Sequence, residues 1–128
     1  TEENPDKIYN NGLGLTRAWL RRHEMPFDYI TFTDRKAEAL RNMEIESGGR
    51  VVLVVEDHPA NTVQIVEAGY RVALMDRPYN QKTLLPKAEG DPDDYGVETF
   101  NQPIWNRALD SGLVVRVNGI REVPNLLL

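Results

Sequence analysis

The sequence predicts an α/β domain built on a parallel sheet, and three observations carry that expectation. Residues Val51 to Val55 form an unbroken apolar run, the pattern of a strand covered on both sheet faces. Between it and a second such run, Tyr70 to Met75, lies a helical segment opened by Pro59 and closed by Gly69. A third apolar run, Leu113 to Val117, follows one more short helical segment. Strand, helix and strand within so few residues make a βαβ unit, whose crossover is right-handed.

Taken in order, the first periodic segment is Leu15 to His23, with Trp19 and Leu20 turned inward and Arg17, Arg21 and Arg22 toward water. Pro26 ends this helix, because it restricts Met25 away from helical geometry. Phe27, Tyr29, Ile30 and Phe32 then predict a short strand. Thr33 is placed to cap a following helix, with Asp34 in its first turn and Ala37, Leu40 and Met43 on its inner stripe. Ser47-Gly48-Gly49 stops that helix. After Val51 to Val55, the helix opened by Pro59 carries Val63 and Val66 inward, and the strand Tyr70 to Met75 is broken by Asp76 and Pro78. Ile104, Trp105, Ala108 and Leu109 predict a last helix, ended by Gly112, and a turn at Asn118-Gly119 follows the third strand. The apolar end, Val123 to Leu128, is expected to dock on the domain or on a partner.

A chain of 128 residues has the length of one domain, so 1–128 is expected to form a single unit with residues 1–11 as an N-terminal tail and 82–100 as a surface loop. The absence of cysteine excludes a disulfide scaffold and thiolate metal sites, and fits a reducing compartment. No apolar stretch approaches the roughly 18 residues of a membrane span, and Thr1 to Asp6 lacks the order of a signal peptide. The expectation is a soluble protein with no membrane partner, cytoplasmic or assembled in an intracellular or viral particle. A formal charge of −5 disfavours nucleic acid as a general partner, because phosphate neutralisation needs a concentrated cationic surface.

Chemistry concentrates at Glu56-Asp57, the acidic pair that closes the Val51 to Val55 run. The carboxyl end of such a strand is where open parallel sheets place ligands. Two hard carboxylates suit Mg2+, which keeps several waters and accepts a phosphate oxygen in its shell. The plainer alternative is that Asp57 caps the next helix. His58 is no preferred magnesium ligand, and with only His23 and His58 in the chain no histidine-rich zinc site can be assembled. Lys36, in the first turn of its helix, opposes the helix dipole; a phosphate or Asp57 would offset it, or simple exposure to solvent.

The words Thr16-Arg17-Ala18-Trp19-Leu20, His23, Pro26-Phe27-Asp28-Tyr29-Ile30, Lys36-Ala37, Val51 to Asp57, Asn61, Ala68-Gly69-Tyr70, Asp76-Arg77-Pro78-Tyr79-Asn80 and Arg116 to Val123 resemble the haloacid-dehalogenase (HAD) superfamily, and within it the 5'-nucleotidase-like and phage-type phosphatases. The resemblance implies a HAD-like (Rossmannoid) three-layer fold. It makes Lys36 the residue that bridges nucleophile and substrate phosphate, and Glu56 and Asp57 the magnesium-holding pair. Asn80 matches a turn position to which the resemblance assigns no role, and it is kept as a candidate substrate- or partner-binding residue. Arg17 and Arg21 are such candidates on other grounds: with Arg22 they make a local basic patch that would meet nucleic acid or a negatively charged protein face, the plainer alternative being that they keep the helix in water.

The family's nucleophile strand, ending in Asp-x-Asp, and its Ser/Thr strand have no counterpart here. Asp91 and Asp93 have the spacing without a buried strand ahead of them, and Thr31 and Thr33 lie on the wrong strand. No nucleophile is found, so the resemblance implies an incomplete sheet whose gap another protein chain or a second copy would cover. Three functions follow. The first is a HAD-derived binding or structural domain, inactive alone, that retains a phosphate and Mg2+ site. The second is the C-terminal part of a Mg2+-dependent phosphomonoesterase acting on a nucleotide or other phosphate ester, with the nucleophile strand supplied by another chain or missing. The third is a flavodoxin-like interaction module.

Overall fold

The computed structural model describes residues 5–84 and 102–127, with the side chains of 5–11 left aside. The chain divides into two compact units, 1–35 and 36–128. Most of the expected 82–100 loop, including Asp91 and Asp93, lies outside the described residues, as do Thr1 to Asn4 and Leu128.

The first unit holds helix α1, Pro5–Arg22. It is longer than the expected Leu15 to His23 helix and takes in part of the expected tail. Proline is tolerated in a first turn, and Gly12 and Gly14 each cost only about 1 kcal/mol relative to alanine, too little to break a helix of this length. Its end is a left-handed turn: Glu24 has φ 54°, the Glu24 amide donates to Arg21 O (3.1 Å) and the Met25 amide to Leu20 O (2.9 Å). The helix thus stops before Pro26 is reached. Residues Phe27 to Phe32 form no strand, against expectation. A strand exists only when a neighbouring backbone completes its ladder, and this segment has no place in the sheet.

The second unit begins with α2, Lys36–Ser47. Thr33 does not cap it directly; its hydroxyl accepts the Arg35 amide (2.9 Å) and turns the chain just ahead of the helix. Gly48, with φ 69°, follows the last turn. Glu44, which the pattern places on the solvent face, instead fastens two chain segments. One carboxylate oxygen accepts the Val51 amide (2.8 Å) and the other the Tyr70 hydroxyl (2.5 Å).

Strands β1 (Val54–Glu56), β2 (Val72–Met75) and β3 (Val114–Val117) form a parallel sheet in the order β1-β2-β3. In this register Glu56, Leu74 and Arg116 stand in one row across the sheet. Helix α3, Pro59–Glu67, connects β1 to β2 and packs against β2, α2 and α4 (Gln102–Leu109). Pro59 opens α3 as expected, and α3 closes in a Schellman turn: Gly69 N donates to Val66 O, and Tyr70 N to Ile65 O. Gly69 supplies the required positive φ of 92°.

The core is Val63, Ile65 and Val66 of α3, Val72 and Leu74 of β2, and Trp105 and Ala108 of α4. Leu40, Val54 and Val114 pack against it from partly buried positions. Val51 to Val55 does not behave as a strand covered on both faces. Its ladder is short and pairs only with β2 among the described strands, and Val52 and Val55 are 62% and 41% exposed. The chain after β3 is a 3-10 stretch, Ile120–Leu127, that contacts β3. Leu126 is half-buried, its carbonyl accepting from Arg71 (3.3 Å), whereas Leu127 stays 56% exposed.

Candidate functional site

The carboxyl ends of the three strands meet around one side chain, Asn80. It closes the 3-10 turn Pro78–Asn80 that follows β2 and is fully buried. Its Nδ2 donates to the carbonyl of Asp57, just past β1, and to that of Met75, the last residue of β2, each at 2.7 Å. Its Oδ1 accepts the Arg77 amide (3.1 Å) and Nη1 of Arg116 from β3 (2.9 Å). Arg116 Nη2 reaches the Asn80 carbonyl (2.9 Å). Two donors and two acceptors exhaust what an amide side chain offers, so burial leaves none of its polar atoms unsatisfied.

Arg116 also pairs with Asp76 (2.9 Å). Gln81 Nε2 donates to Asp76 Oδ1 (2.8 Å), and this bond, then Arg116, holds the Asp76 carboxyl below the usual carboxylate range. Gln81 further accepts, through its backbone carbonyl, the indole N–H of the buried Trp105 (2.8 Å), which ties α4 to the same turn.

Glu56 and Asp57 project from the β1 end of this junction, both half-buried. Glu56 Oε1 accepts the amides of Asp57 and His58, each at 3.1 Å. Asp57 is therefore not the cap of α3. The N-cap is His58, without a side-chain cap bond, and Glu56 holds the amides leading into the helix. The Tyr79 hydroxyl donates to Asp57 Oδ2. That bond, followed by burial and the Asp57 charge, raises the Tyr79 phenol above its ordinary value. Glu56 Oε2 and Asp57 Oδ1 remain as hard oxygen donors, a set whose chemistry fits Mg2+ completed by water and phosphate. Among the described residues no group of three or more His, Cys, Asp or Glu side chains is arranged to hold a metal ion.

Of the residues singled out by sequence, the structure joins Asp57 to Asn80, with Glu56 adjacent. Lys36 opens α2 and is half-buried, and no bond among the described residues ties it to the acidic pair. Arg17 and Arg21 are exposed on α1 in the other unit. Sequence reasoning gave Gln81 no role, Asp76 only that of a strand breaker and a motif position, and Tyr79 and Arg116 only places in the resemblance. A 430 Å3 open groove lined by Lys82, Asn106, Leu109, Asp110, Val114 and Arg116 lies on the β3–α4 side and includes neither carboxylate of the pair.

Fold and junction together define an α/β protein with a small parallel sheet, flanking helices and polar groups gathered at the strands' carboxyl ends. No family model and no solved structure matches the chain. A nucleotidase of Clostridium acetobutylicum is 33% identical over 72 residues, which is 55% of this chain and 34% of the nucleotidase. The chain therefore spans about a third of the length of the curated relative it matches. This partial match and the parallel sheet support a distant link to HAD-like, Rossmannoid proteins.

Proposed function

We propose that the chain is a HAD-derived domain that binds Mg2+ and a phosphate group at the carboxyl edge of β1 and does not turn over phosphate esters by itself. The observation that carries this reading is the Asn80 junction, which fixes the backbone of Asp57 against β2 and β3 with every hydrogen bond of a buried amide satisfied. Glu56 and Asp57 would hold the cation, which when bound neutralises charge on a phosphoryl oxygen. Lys36 is the candidate phosphate contact. Binding groups without a placed nucleophile give affinity and little rate. None of the described strands ends in Asp-x-Asp: β1 runs into Asp57-His58, β2 into Asp76-Arg77 and β3 into Asn118-Gly119.

A second reading is favoured by the edge position of β1. Open parallel sheets form ligand crevices where strand order reverses, and among the described strands the sequential order β1-β2-β3 contains no reversal. A strand pairing with the outer side of β1, with the strand that follows it in sequence lying beyond it, would create one beside β1 and complete a three-layer HAD-like fold. On this reading the chain is the C-terminal part of a nucleotidase-like phosphomonoesterase, and another chain supplies the nucleophile or a second copy covers the edge.

Calorimetric titration with MgCl2 and with inorganic phosphate, beside assays on nucleoside monophosphates and an aryl phosphate, tests both. Magnesium binding abolished by Asp57→Asn, with no turnover by the chain alone, is the expected result. Turnover that disappears in Asp57→Asn or Lys36→Met overturns the non-catalytic reading. Turnover that appears only when an Asp-x-Asp-bearing partner strand is added establishes the second.

A further inference from the structure

We propose that Tyr79 is a latch on Asp57 that a bound divalent cation opens; this rests on the magnesium reading above and deepens it. The Tyr79 hydroxyl occupies Asp57 Oδ2, so in the latched state only Oδ1 of this carboxylate is open to a cation, and the phenol must leave before the second oxygen can take part. The tyrosine is 45% exposed and sits in the middle of the 3-10 turn Pro78–Asn80. Its neighbours are fixed, Pro78 by its ring and Asn80 by its buried bonds. The movable part is therefore the side chain alone, which can swing toward solvent without disturbing the core.

The Asp57 backbone does not move with it, because its carbonyl is held by Asn80. A doubly charged cation competes well for a carboxylate oxygen against a neutral donor, since two charges attract more strongly than a charge and a dipole. The latched arrangement lowers the apparent affinity by the fraction of molecules in which Asp57 is free of Tyr79. By linkage, cation binding shifts the phenol away to the same extent.

The test uses the full chain labelled with 13C in its tyrosine rings, titrated with MgCl2 by NMR and calorimetry, beside Tyr79→Phe and Asp57→Asn. The Tyr79 ring signal, assigned by its loss in Tyr79→Phe, is expected to move in step with saturation. Tyr79→Phe is expected to bind magnesium about three- to tenfold more tightly. A merely supporting hydrogen bond would give the opposite sign, because its loss would loosen Asp57. If magnesium binds through Asp57 while the Tyr79 signal stays in place, or if Tyr79→Phe binds equally or more weakly, the latch is overturned and the magnesium reading stands. No binding to either protein overturns both. Should Tyr79→Phe fail to fold, the wild-type signal, assigned by through-bond correlation, decides.

Discussion

The two sides of the sheet are built on different principles. On the β2–β3 side, four residues of β2 pair with four of β3, Trp105 of α4 is fully buried beneath them, and Asn80 and Arg116 knot the strand ends together. On the β1 side, three residues pair with β2, the valines are partly in water, and the approach to the strand is held by the Glu44 carboxylate. One side is stabilised by apolar burial and a satisfied polar network, the other by a ladder on one flank and by bonds to carboxylates, the Glu44 clasp first among them. The acidic pair lies on the second side but takes its position from the first, through the Asn80 bond to Asp57.

This contrast can be broken most severely at Trp105. Trp105→Ala removes the largest fully buried side chain and the bond to Gln81, and is expected to cost about 3–5 kcal/mol in denaturant unfolding. That is a large fraction of the roughly 5–15 kcal/mol of an ordinary domain. Asn80→Ala should cost about 2–3 kcal/mol by the same measurement, because it strands buried carbonyls and part of Arg116. Asn80→Asp should do no better, since a carboxylate would face the carbonyls of Asp57 and Met75. If Asn80→Asp unfolds at the wild-type midpoint, the junction is not the organiser described.

The β1 side should respond to pH. The Tyr70 hydroxyl, then the Val51 amide, hold the Glu44 carboxyl below its ordinary value of 4.5. The stability this gives is present above pH 4.5 and is lost as pH falls through the depressed value. Glu44 in turn raises the Tyr70 phenol above 10, so that contribution is present below pH 10 and is lost as pH rises through the raised value. Tyr70→Phe should reduce both the alkaline and the acid dependence, as read from unfolding midpoints across pH, leaving the parts that come from Tyr79 and Asp76. An unchanged pH profile would show that Glu44 and Tyr70 do not hold this side together.

The smallest effect is expected at Val52. Val52→Lys should change stability by no more than about 0.5 kcal/mol, while lowering any concentration-dependent association measured by light scattering, because a charged edge resists pairing with other chains. A loss comparable to that of Asn80→Ala would mean that the β1 side is buried far more deeply than its exposure indicates.

The legible parts of the fold were those whose signal is local. Pro59 and Gly69 bracket α3, Gly112 follows α4, and the runs at Tyr70 to Met75 and Leu113 to Val117 became β2 and β3. Phe27 to Phe32 had the composition of a strand but no ladder, and pairing depends on residues far away in sequence. Val51 to Val55 misled for a related reason, since an apolar run does not reveal how many neighbours its strand has. In the candidate site, Glu56 and Asp57 were visible as an acidic pair after a strand. Asn80 stood out only as a motif position, and its importance arises where turns from three strands meet. Glu44 could not be told from its solvent-facing neighbours, because its partners are Val51 and Tyr70.

The turn after β3 bears on how long the molecule stays chemically intact. Asn118-Gly119 is a sequence prone to spontaneous deamidation, in which the glycine nitrogen attacks the asparagine side-chain amide carbon and expels ammonia, leaving a cyclic imide that water opens to a carboxylate. In the folded chain that nitrogen is engaged with a Glu122 carboxylate oxygen at 3.0 Å, and the same oxygen holds the Asn118 amide. The attack therefore waits on opening of this turn, and deamidation located at Asn118 by peptide mapping, apart from that at the chain's other Asn-Gly sequence, Asn11-Gly12, becomes a clock for how often the stretch beginning at Ile120 comes undone.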